Sequence, residues 1–197
     1  MNNQEIIKSL EAIIETLKAG EQEEATTFDF GSGPVPAHRH TNADGSIGGW
    51  VANTATVAHT AYLGRYAQVF DNAKVFGNAK VFDNAKVFGN AKVFDNAKVF
   101  GNAKVYDFAE VCYHARVYDN AEVCDNAVVA GDARVFDNAE VCNNAWVIGN
   151  AEVYGGARVY DNARVYDNAK VFGDARVFDN ALICDIKLDS GTYYGNE

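Results

Sequence analysis

Nowhere along the 197 residues is there an apolar run of membrane length or a signal peptide, so the expectation is a cytoplasmic protein with no membrane partner. Basic residues are scarce as well: 17 Lys and Arg face 27 Asp and Glu, a formal charge of −10. That balance argues against duplex nucleic acid as a partner, because such binding relies on clustered cations facing phosphates. Cysteine is sparse, with Cys112, Cys124, Cys142 and Cys184 alone. Helical periodicity is absent between residues 51 and 182, and no insertion interrupts that stretch.

What fills it is a six-residue phrase repeated 22 times from Val51 to Leu182. Each hexad opens with Val, Leu63 excepted, and carries Ala at its fifth position from Ala55 to Ala181. In Ala79-Lys80-Val81-Phe82-Asp83-Asn84 the first four residues alternate in and out, which is the period of an extended strand. Ala and Val then face inward, while Lys and Phe face outward. Asp-Asn or Gly-Asn falls at a corner, where Gly and Asn tolerate positive φ. Three such units close a triangular coil of about eighteen residues, and coils stack by hydrogen bonds at about 4.8 Å. The expected fold is all-β, a parallel β-helix shaped as a triangular prism of about seven coils.

The Val and Ala pattern resembles the hexapeptide-repeat, or left-handed β-helix, superfamily over residues 51 to 182. That resemblance implies left-handed coiling and a homotrimer. The chain also resembles short hexapeptide-repeat proteins of bacterial and phage genomes that are labelled as transferases. Many members of the superfamily are acyltransferases in which a His activates the acceptor, and the acyl-coenzyme A donor lies between neighbouring prisms. In that reading the candidate bases are His38, His40, His59 and His114. His59 and His114 fall at corners, and His114 stands where Asn usually stands, which favours a structural corner over a general base. His38-Arg39-His40 offers two alternating imidazoles, but no further ligand follows at a recognised metal spacing, so neither a metal nor a cofactor is expected. Cys124 and Cys142 fall one coil apart, too far for the usual disulfide Cβ separation.

One departure from the superfamily is the second hexad position. It carries Phe or Tyr in fourteen of the 22 hexads, where many relatives carry a small residue. At an eighteen-residue pitch one face stacks Phe82, Phe100, Tyr118, Phe136, Tyr154 and Phe172 beside Lys80, Lys98, Arg116, Arg134, Glu152 and Lys170. Rings beside cations suit an anionic, ring-bearing small molecule such as a nucleotide. A non-catalytic protein that sequesters such a molecule is therefore the expected function. If the chain is phage-borne, a nucleotide immune signal is the specific form. An acyltransferase and a purely structural protein are the alternatives. A third face turns apolar toward its C-terminal half, at Val128, Trp146, Ile148 and Leu182, and these are the expected oligomer contacts.

Outside the repeat, residues 1 to 20 read as a helix with Ile6, Leu10, Ile13 and Leu17 on one stripe and Gly20 as its stop. It would cap the first coil or pack within an oligomer. Residues 21 to 49 read as an irregular connector, and residues 183 to 197 as a decaying C-terminal tail.

Overall fold

The computed structural model describes residues 7–8 and 26–195. Ile7 and Lys8 are helical, and the rest of the helix expected over residues 1 to 20 lies outside the described residues. Past an antiparallel N-terminal cap, the rest is a parallel β-solenoid. Each hexad supplies one short strand made of an outward residue, most often charged, and the inward Val that follows it, as in Lys98–Val99; Tyr62–Leu63 has Leu in the inward place. Strands eighteen residues apart pair in parallel and in register, as Lys98 does with Lys80 and with Arg116. The outcome is three sheets, of eleven, eight and eight strands, wound as eight coils.

Inside, the first-position Val and fifth-position Ala side chains from Ala67 to Val177 are 0 % exposed and form one continuous core. Fully burying a Val contributes roughly 1.5–3 kcal/mol, but each hexad supplies only one. Stability therefore rests on repetition, since a single coil encloses almost nothing.

The corners follow a rule that differs from the sequence expectation. Positive φ belongs to the third hexad position, with non-glycine values of 53–59°, and not to the Asn that follows. At the His114 corner the left-handed residue is accordingly Tyr113, at φ 59°. Asp suits the third position because its carboxylate reaches down the stack. Asp71 Oδ2 accepts the Gly89 N–H at 3.1 Å, and Asp95 Oδ2 accepts that of Tyr113 at 3.3 Å. The Asn that follows is used differently, its side-chain amide forming a ladder. Asn84, Asn102, Asn120 and Asn138 are linked in sequence by bonds of 3.1–3.3 Å.

Two further expectations change at the ends. The stretch read as an irregular connector contains three strands, β1 (Thr27–Asp29), β2 (Pro34–Thr41) and β3 (Ile47–Ala52). β1 pairs antiparallel with β2, β2 antiparallel with β3, and β3 parallel with Gln68–Val69 of the next coil. Hexad spacing could not show them because antiparallel strands close by hairpins and share no period with the repeat. Gly49 allows the close approach of β3, since a Cβ there would lie 2.0 Å from the Ala67 carbonyl oxygen. At the other end the tail keeps stacking. Lys187–Leu188 and Thr192–Tyr194 pair with Lys170 and Arg176 strands at spacings cut to 17 and 16 residues, which completes the eighth coil.

Candidate functional site

The face that carries Lys80, Lys98, Arg116 and Arg134 is the most regular surface of the molecule. Phe82, Phe100, Tyr118, Phe136, Tyr154 and Phe172 stack along it with ring centroids 4.8–5.0 Å apart and planes within 1–7° of parallel. The spacing is that of the strands, so the backbone sets the ring separation. Each ring is half-buried by its neighbours, and each stacked pair adds about 0.5–1.5 kcal/mol beyond its area. With rings already in contact, a guest meets their edges and not a gap between faces.

Charge on this face is uneven along the axis. Glu152 pairs with Arg134 at 3.6 Å and with Lys170 at 2.6 Å, and the latter contact raises the Lys170 pKa. Lys80, Lys98 and Arg116 form no ion pair among the described residues. Directly opposed like charges destabilise neighbouring strands. Elsewhere the stack breaks such runs with acids: Lys92 pairs with Glu110, and Lys104 with Glu122, both at 2.8 Å.

The four His separate into different environments. His40 is 6 % exposed, and its Nε2–H donates to the Ala61 carbonyl at 3.2 Å. Burial lowers its pKa, with the Ala61 bond in partial opposition. Beside it Asn42 is buried and gives both halves of its amide to Leu63, donating to the carbonyl at 3.0 Å and accepting the N–H at 2.8 Å. These two side chains stand in for a missing strand on the open edge of the first coil. His38 is exposed and bonded to Asn53 Oδ1 at 3.0 Å. His59 and His114 are exposed at corners.

The expected oligomer contacts lie on another face. Val128, Trp146, Arg164 and Leu182 are successive in-register neighbours there, so Arg164 separates the two large apolar groups. Its guanidinium lies 5.0 Å from the Trp146 ring centroid. Trp146 and Leu182 remain 41 % and 64 % exposed.

Two features go beyond what the repeat spacing shows. A groove of about 850 Å³ opens where the N-terminal strands meet the coils, with Phe30, Val35, Phe70 and Phe88 as its apolar lining and Asn53, Asp71 and Asn90 among its polar groups. Phe30 stacks on Phe70 at 4.8 Å, extending that face's ring ladder beyond the repeat. The alternation Phe28-Asp29-Phe30 was its one visible signal. The other is the Asp125 carboxylate beside the Cys124 and Cys142 pair that the pitch places one coil apart; the ligand atoms of all three lie within 4.8 Å of one another.

A family model described as the YdcK beta solenoid repeat matches residues 157–171. No curated protein and no solved structure matches the chain. The match is shorter than one coil and agrees with the repeat β-helix fold described above.

Proposed function

We propose that this chain is a non-catalytic binding protein that holds an anionic, ring-bearing small molecule against the face carrying Lys80, Lys98 and Arg116. The observation that carries this reading is the unbroken run of like charge from Lys80 to Arg134 beside an unbroken ring ladder, in a chain of net charge −10. Nothing in the fold needs four stacked cations, and their repulsion opposes it. A bound polyanion offsets that repulsion through charge-assisted bonds, while the rings offer it an apolar edge. A nucleotide has both parts, and sequestration of a nucleotide signal is the specific form proposed. Apolar Val128, Trp146, Ile148 and Leu182 support a subunit contact, and a homotrimer is the assembly proposed. His40, of the four candidate bases, is committed to a backbone carbonyl, which favours binding over acyl transfer.

The test is calorimetric titration of a nucleoside triphosphate and of a cyclic dinucleotide into the wild type and into a Lys98→Glu, Arg116→Glu double variant. Both substitutions are on outward strand positions, so the fold should survive. Binding should be present in the wild type, fall with rising salt, and vanish in the double variant, while His59→Ala with His114→Ala leaves it intact. Acyl transfer from a coenzyme A donor that is lost on removing one of those His would instead establish the enzyme.

A further inference from the structure

The ring ladder on the face capped by β1 to β3 is broken once. Phe70, Phe88 and Tyr106 stack above the break, and Tyr160 and Phe178 below it. The two ring positions between are Cys124 and Cys142, whose strands pair in register through Val123 and Val141. Both thiols are half-buried. Beside Cys142 a hollow of about 240 Å³, lined also by Glu140, Asn143, Arg158, Tyr160 and Arg176, opens to solvent.

We propose that Cys124, Cys142 and Asp125 form a binding site for a thiophilic divalent cation, Zn(II). The geometry of stacked strands selects a bridging ion over a disulfide. Side chains in register on neighbouring parallel strands lie about 4.8 Å apart, beyond the roughly 3.5–4.5 Å Cβ separation that a disulfide tolerates. Two Zn–S bonds of about 2.3 Å in a tetrahedral arrangement span about 3.8 Å, which a small rotation of each thiol meets. Asp125 supplies the third ligand. Its Oδ2 is fixed beside the thiols by the Asn143 N–H at 3.0 Å and the Asn143 side-chain amide at 2.8 Å. Solvent water would complete the four.

The neighbouring carboxylates are engaged elsewhere. Glu122 pairs with Lys104 at 2.8 Å, and Glu140 with Arg158 at 3.3 Å. Binding one ion displaces both thiol protons to the buffer and leaves two Zn–S bonds. The ligand spacing of eighteen residues matches no linear zinc motif because the third dimension supplies the neighbour.

The experiment uses the full chain under a thiol-free reductant, with Cd(II) as the spectroscopic probe and Zn(II) as its competitor. One equivalent of Cd(II) per chain should give a thiolate-to-metal charge-transfer band that Zn(II) displaces. Loss of a group that merely orients a ligand weakens metal sites by about 10–100-fold. Cys124→Ser and Cys142→Ser should therefore each weaken binding by at least about a hundredfold. Cys184→Ser is the control, because Cys184 lies in a separate cluster with Asp167 and Asp185; it should leave the band unchanged. The Lys98→Glu, Arg116→Glu variant should also bind Cd(II) normally, which separates this site from the proposed anion face. A band absent in the wild type, retained in Cys142→Ser, or lost only with Cys184→Ser would overturn the proposal. Circular dichroism of every variant confirms that the strands persist.

Discussion

Tyr113 occupies a backbone conformation that costs an ordinary residue roughly 1–2 kcal/mol, because its Cβ crowds the following carbonyl at φ 59°. Neighbouring corners meet the same demand with Asp, whose carboxylate recovers a bond to the next coil, or with Gly. Tyr113 has neither compensation, and its ring is 59 % exposed. Tyr113→Gly should therefore raise the Tm, by about 1 kcal/mol of stability after the unfolded-state entropy of Gly is subtracted. A β-branched Tyr113→Val should lower it. Equal Tm values for the three proteins, measured by circular dichroism, would contradict this account of the corner. At this scale the sequence showed that corners exist but misplaced the strained residue by one. Asp and Asn both favour turns, and only the direction of the Asp71 carboxylate toward Gly89 separates their roles.

At the scale of elements, hexad strands were legible because each repeats the same inward Val and Ala, whereas the N-terminal cap was not. His40 and Asn42 act on Ala61 and Leu63, 21 residues away, through single side chains with no period. Their function is to satisfy backbone groups that an open first coil would leave buried and unpaired, each worth about 1–3 kcal/mol. The cap has a pH signature. Burial lowers the His40 pKa from the model-peptide value of 6.5, so the unfolded chain binds its proton first on acidification. The stability contributed by neutral His40 is complete above 6.5 and lost as pH falls from there through the lowered folded value. Thermal denaturation at pH 7.5 and 5.5 should show a fall in Tm for the wild type. In His40→Gln, which keeps a donor for Ala61, that fall should be smaller. An identical shift in both proteins would remove His40 from the cap.

For the whole molecule, fold was far more legible than site. Within the repeat an eighteen-residue pitch predicts the in-register neighbours, so the ladders of Phe82 and Lys98 follow from the sequence alone. Pairing between charges followed only in part: that Glu152 takes both Arg134 and Lys170 depends on side-chain reach across two coils. The Phe30 groove and the closure of Asp125 onto the Cys124 and Cys142 pair are not legible for a common reason. Linear spacing rules describe ligands brought together by one helix or one loop, and here the partners come from different turns of a coil.

The nearly parallel rings of the Phe82 ladder, within 1–7° of one another, mean that successive coils are related by translation with almost no rotation. Inter-coil hydrogen bonds such as Lys98 N–H to Ala115 C=O then point along the long axis. Tension applied to the two ends of the chain loads those bonds one coil at a time, as in peeling, and never all together in shear. Each released coil of eighteen residues pays out about 60 Å of extended chain. Pulled between its termini in an optical trap, the prism should lengthen in a regular staircase of low-force steps of about that size, whereas a single large rupture would mean that the coils do not yield independently. The molecule is a rigid rod to anything pressing on its faces and a ratcheted thread to anything drawing on its ends.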